Sequence, residues 1–210
     1  MAHKKLPGGL ITVSLVAATL ICALALEARA QGHAPADRIQ TLCSALLGTM
    51  QQAKQLGVKG RYDQLAPVLS TIYDIPTMAR TAVGSSWATL DPAHQTAIVD
   101  AFTRMMVANY ASQFDGFSGE RFEILETVDR SPTDKLVKTR IVQSNGKPVE
   151  IDYLMRGAGG DWKIVDVYLD GRISELASRR AEFGSILKSG GAEALISSLR
   201  RQSDKLLAGA

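Results

Sequence analysis

The chain has 210 residues, 24 lysines and arginines against 21 aspartates and glutamates, and two cysteines. Four of the charges, Lys4, Lys5, Glu27 and Arg29, and one of the cysteines, Cys22, fall in the first thirty residues, so the remainder is nearly neutral with Cys43 alone. That balance removes the basic excess a nucleic-acid binder needs, and a single thiol excludes an internal disulfide, so stability must come from packing.

Lys4 and Lys5 precede an apolar run from Leu10 to Leu26, and Ala28-Arg29-Ala30 closes it with small residues at signal-peptidase spacing. This order reads as a cleaved signal peptide, residues 1–30, with the mature chain starting at Gln31. A membrane anchor fits less well, because the run is at the short end of a bilayer span and no basic stop-transfer cluster follows. Leu20-Ile21 ahead of Cys22 puts a bulky residue where lipidation needs a small one. The expectation is one domain, residues 31–210, free in an extracytoplasmic space.

Apolar residues at three- and four-residue steps from Ile39 to Met50 predict a first helix after Asp37, ended by Gly57. Cys43 lies on that stripe, which reads as a buried structural thiol. Leu65, Val68, Leu69 and Ile72 repeat the helical step around Pro67. Asp74-Ile75-Pro76 pairs an N-cap with a first-turn proline and opens a short helix ending at Gly84. Asp91-Pro92 repeats the device and launches the longest helix, with Ile98, Val99, Phe102, Met105, Met106, Tyr110 and Phe114 before Gly116. So broad a methionine and aromatic stripe is either ordinary core or the wall of an apolar cavity, since methionine adapts to variable shapes.

From Glu120 the period becomes alternating. Strands are predicted around Phe122–Val128, Val137–Ile141, Val149–Met155 and Trp162–Leu169, with Asn145-Gly146 and Gly157–Gly160 as hairpin turns. After Gly171 the helical step returns through Leu176, Phe183, Ile186 and Leu187, breaks at Gly190-Gly191, and resumes at Leu195, Ile196 and Leu199. The expected class is α+β: a helical part at 35–116, a curved antiparallel four-stranded meander at 120–170, and C-terminal helices at 172–207. The helix stripe and the apolar face of the third strand must then point at one interior.

Candidates for chemistry are few. His33 and His94 have no partner at metal-ligand spacing, so no metal site is expected. Gly157-Ala158-Gly159-Gly160 sits between strands and reads as a turn rather than a phosphate cradle. Asp166, flanked by Val165 and Val167, and Tyr153 are the remaining catalytic candidates; the alternative for Asp166 is a hydrogen-bonded structural carboxylate or a solvent-facing one. Arg172, Arg179, Arg180, Arg200 and Arg201 are either a solvated helix face or an adaptor's contact surface.

Tyr73-Asp74-Ile75-Pro76 with Ala79-Arg80, Gly84 and Trp87 resembles the YD…AR…G..W signature of the MlaC family, periplasmic phospholipid-binding proteins also called toluene-tolerance proteins. Trp162-Lys163-Ile164-Val165-Asp166-Val167, then Gly171, Ser174, Glu182-Phe183, Ile186-Leu187 and Leu195-Ile196, resembles the family's C-terminal pattern, so the likeness spans about residues 37–205. Asp74-Ile75-Pro76, Ala82-Val83-Gly84 and Asp166-Val167-Tyr168-Leu169-Asp170-Gly171 are most similar to its hopanoid-associated HpnM branch, whereas Gly171-Arg172-Ile173-Ser174 carries one residue more than the G-V-S of the phospholipid carriers.

The resemblance implies an NTF2-like cone with a lipid cavity, and no enzyme activity or cofactor. It implies a monomeric carrier of phospholipid or hopanoid, working between an inner-membrane transporter complex and an outer-membrane partner. The cavity wall expected is Trp87, Phe102, Met105, Met106, Tyr110, Phe114, Ile151, Tyr153, Met155 and Val167. The alternatives are a small conical enzyme using Asp166 and Tyr153 on an apolar substrate, and an adaptor without a cavity.

Overall fold

The computed structural model describes residue 1, residues 34–158 and residues 161–209. The expected signal peptide, His33 and Gly159-Gly160 lie outside the described residues.

Helix α1 (Pro35–Gln51) buries Ile39, Leu42, Cys43 and Leu46. It ends earlier than the sequence suggested. The chain breaks at Gln52, and Gly57 (φ 59°) makes a second break inside α2 (Ala53–Ile72). At the end of α2, Tyr73 bridges to Ile164, and Asp74 N–H donates to the Ile164 carbonyl at 2.9 Å, which fastens the helical layer to the sheet. Asp74 then caps α3 (Ile75–Val83) by accepting from Thr77 N–H at 3.1 Å, and Gly84 ends it. A 3₁₀ turn, Gly84–Thr89, leads to α4 (Pro92–Gln113), where Asp91 accepts from His94 N–H at 2.8 Å. Both caps satisfy donors that a helix N-terminus leaves open.

The sheet runs β1 (Arg121–Asp129), β2 (Asp134–Val142), β3 (Pro148–Ala158), β4 (Asp161–Leu169) and β5 (Ile173–Ser174), in sequential order with every neighbour antiparallel. The four-stranded meander and the NTF2-like cone are therefore corrected to an open, five-stranded sheet. The extra strand comes from Asp170 (φ 51°) and Gly171 (φ 65°), two consecutive left-handed residues that form a tight hairpin turn closed by Arg172 N–H on the Leu169 carbonyl at 3.2 Å. Pairing is irregular at Ile124/Glu126 and at Leu154/Met155, the kind of interruption that bends a strand and increases its twist.

The last element, α5 (Glu175–Leu207), is two helices joined at Gly191 (φ 68°), where the Gly190-Gly191 pair was expected to break it. Both halves lie along α4. Phe102 meets Phe183 edge-to-face with ring centroids 6.0 Å apart, Arg104 pairs with Asp204 at 2.8 Å, and His94 reaches Glu193 at 3.2 Å. One apolar core thus joins the helices to the inner sheet face of Val137, Tyr153, Met155, Ile164 and Val167. Among the described residues no helix is long and apolar enough to cross a membrane.

Candidate functional site

Between α4 and the inner face of β3 and β4 the packing leaves a cavity of about 230 Å³. Phe102, Met105, Met106, Tyr110 and Phe114 supply the helix side, and Ile151, Tyr153, Val167 and Leu169 the sheet side. Tyr73 and Met78 complete the apolar wall, while Asn109, Gln113, Glu175 and Arg179 supply its polar part. The stripe of α4 therefore changes character along its length. It is apolar at Met105 and Met106 and becomes amide-bearing one turn later at Asn109 and Gln113.

Eight of the ten residues expected at the wall are found there; two are not. Met155 is fully buried core rather than lining; it pairs with Ile164, two residues beyond Tyr153 along β3. Trp87 sits in the 3₁₀ turn, whose neighbours are α3 and α5 rather than the sheet, and it packs half-buried against the core. Tyr73, Met78, Asn109, Gln113, Leu169, Glu175 and Arg179 were missed. Asn109 and Gln113 had a signal, since both continue the helical step from Met105.

An aromatic row runs through the site. The Tyr73 and Tyr110 hydroxyls hydrogen-bond to each other, Tyr110 stacks on Phe114 at 5.7 Å, and Phe114 meets Phe122 at 6.3 Å. Burial pushes the Tyr73 and Tyr153 phenols well above their ordinary range and Tyr110 up to about 12, so all three are protonated at neutral pH. Burial likewise pushes the Cys43 thiol up to about 12, which suppresses the thiolate a nucleophile requires.

Asp166 is a structural fastening. It is buried, and Oδ1 accepts from Val167 N–H at 2.8 Å and Leu176 N–H at 3.2 Å, while Oδ2 accepts from the Ser174 hydroxyl at 2.6 Å. Ser174 Oγ in turn accepts from Ala177 N–H at 2.9 Å, capping α5. Asp166 is thus committed to holding α5 against β4, and it does not join Tyr153 at the cavity wall.

The five arginines part company. Arg179 lines the cavity, paired with Glu175 at 3.0 Å and Glu182 at 3.1 Å. Arg180 lies over Gly84, Arg201 bonds Ser197, Arg172 is exposed on the β4–β5 turn, and Arg200 is exposed on the second half of α5. A second depression of about 400 Å³ is lined by Arg130, Asp134, Leu136, Leu154, Tyr168 and Gly171. Leu154 and Tyr168 alternate with Tyr153 and Val167, so this groove belongs to the outer sheet face, and its lining mixes polar and apolar groups.

Fold and site together define a class: an α+β protein built around an apolar chamber with a polar mouth. The chain belongs to the MlaC protein family, which its residues 40–201 match. Its fold is similar, with a TM-score of 0.71, to that of the phospholipid-binding protein from Ralstonia solanacearum solved in complex with a phospholipid. The two are 19% identical, and the match covers 81% of this chain and 97% of that chain. No curated protein matches it in sequence.

Proposed function

We propose that this protein is a lipid carrier of the periplasm, holding the apolar part of one lipid in the chamber between α4 and the sheet with the head group at the polar mouth. The observation that carries the reading is the chamber itself: one wall of methionines and aromatics, one of strand residues, and its polar groups gathered at Asn109, Gln113, Glu175 and Arg179. The phospholipid held by the Ralstonia solanacearum protein supports phospholipid as cargo. The HpnM-like stretch Asp166–Gly171 keeps hopanoid as the alternative. Its partners would be an inner-membrane transporter complex and an outer-membrane donor or acceptor, engaged by the monomer, and no catalytic step is involved.

Size adds a requirement. A chamber of about 230 Å³ is smaller than the roughly 300–1,000 Å³ typical of ligand pockets. Loading must therefore widen it, and Met105 and Met106 are suited to that because their unbranched side chains re-pack readily. Extraction under native conditions followed by mass spectrometry of co-purifying lipid tests the reading. One phospholipid or hopanoid per chain is the expected result. Chains that never carry lipid, and never take it from vesicles, would refute it.

A further inference from the structure

The mouth of the chamber holds one cation and one anion in contact, and this arrangement suits a particular head group. Glu175 and Arg179 are one helical turn apart at the start of α5, and the Arg179 Nε–H donates to Glu175 Oε1 at 3.0 Å. A second carboxylate, Glu182, accepts from Arg179 NH1 at 3.1 Å and is itself steadied by Gln202 Nε2 at 3.0 Å. The single lining guanidinium is therefore shared between two carboxylates. The N-terminus of α5 offers an anion little more, because Leu176 N–H is taken by Asp166 and Ala177 N–H by Ser174. Counting Glu175 in the lining and Glu182 beside it against Arg179, the charges in contact at the mouth are net negative.

Resting on the carrier reading, we propose that this mouth selects a lipid with a zwitterionic head group, a phosphate and an ammonium on one short arm, over a purely anionic one. Arg179 keeps its NH2 donors outside the two ion pairs, which suits a phosphate oxygen. Glu175 Oε2 lies outside the bond to Arg179 and suits an ammonium. An anionic head without an ammonium meets the same guanidinium and the repulsion of the surrounding carboxylates, with nothing to offset it. The side chains are partly exposed, 20% for Arg179 and 35% for Glu175, so the discrimination is modest, about fivefold.

The test incubates the full mature protein with vesicles of equimolar dioleoyl phosphatidylethanolamine and dioleoyl phosphatidylglycerol, then identifies bound lipid by mass spectrometry. Matched acyl chains leave the head group as the only variable. Wild type is expected to carry the ethanolamine lipid about fivefold over the glycerol lipid, with the ratio shrinking as salt is raised. Glu175→Gln should bring it close to parity, and Glu182→Gln, outside the lining, should lower it part of the way. Lipid bound at the vesicle ratio by wild type, or a preference unchanged in Glu175→Gln, overturns the head-group proposal and leaves the carrier standing. No phospholipid bound at all, or only a neutral triterpenoid when one is added to the vesicles, overturns it as well; the former removes the phospholipid carrier reading with it.

Discussion

Filling the chamber from its own wall separates a binding site from a packing defect. At roughly 24 cal/mol per Å³, about 5–6 kcal/mol is the ceiling on the packing forgone at a space of about 230 Å³, reached only where the space is closed and dry. That is comparable with the whole stability of many domains. Met106 lines the space and is 8% exposed, so Met106→Trp places its added bulk, about 60 Å³, into void and recovers up to about 1.4 kcal/mol. Met155→Trp is the control: Met155 is fully buried in closed core, where the same enlargement should cost about 1–3 kcal/mol. Urea unfolding of lipid-free protein reads both effects, and mass spectrometry reads lipid content. The expected result is a Met106→Trp variant at least as stable as wild type and empty of lipid, beside a weakened Met155→Trp that still binds. If Met106→Trp loses as much stability as Met155→Trp, the space is not a chamber and the reasoning fails.

Three further outcomes follow from the fastenings around the site. Asp166→Ala strands the Val167 and Leu176 N–H groups and the Ser174 hydroxyl, and should cost about 2–3 kcal/mol, read as a fall in melting temperature of about 4–12 °C. Buried Arg61 donates Nε–H to the Ala111 carbonyl at 2.7 Å and NH1 to Ala53 at 3.0 Å, bracing the end of α4 against α2. Arg61→Met should cost about 1–3 kcal/mol for each carbonyl left without its donor, and Arg61→Lys should rescue little, because an ammonium cannot span both carbonyls as the fork does; denaturant titration checks both. His94 is held above its ordinary pKa chiefly by its hydrogen bond to Asp91, with Glu193 assisting. Its contribution is therefore fully present below about pH 6.5 and fades as pH rises through the raised value, so melting temperature should decline slightly over that window and His94→Asn should abolish the decline.

What the sequence disclosed, it disclosed through local chemistry. Asp74 and Asp91 cap helices because an aspartate before Ile-Pro or Pro needs only its own turn to do so, and Gly146 turns the β2–β3 hairpin at φ 80° for an equally local reason. Asp170-Gly171 carried the same kind of signal, and β5 was missed only because a two-residue strand leaves no alternation to detect. Position along an element is a different matter. Period-two alternation puts Tyr153 and Met155 on one face, yet it does not say how far along β3 the chamber reaches, and it reaches Tyr153 but not Met155. Glu175 and Arg179 were illegible for a stronger reason. A Glu–Arg pair four residues apart looks like any solvated helix face, and it becomes a mouth only because Asp166 and Ser174 pin the start of α5 beside Leu169.

That pinning bears on how a carrier of this build would work. Leaving acyl chain in water costs about 0.8 kcal/mol per methylene, so a useful chamber must match nearly all of what a bilayer provides without exceeding it. A chamber preformed at full lipid size would forgo packing whenever unloaded, in proportion to the part of its volume that stays closed and dry. A chamber of about 230 Å³ that opens on loading divides the difficulty. The empty protein keeps most of its packing, and part of the lipid's burial energy is spent on widening the wall. Affinity then stays near that of the membrane, and the direction of transfer has to come from the donor and acceptor that meet the mouth, not from the chamber.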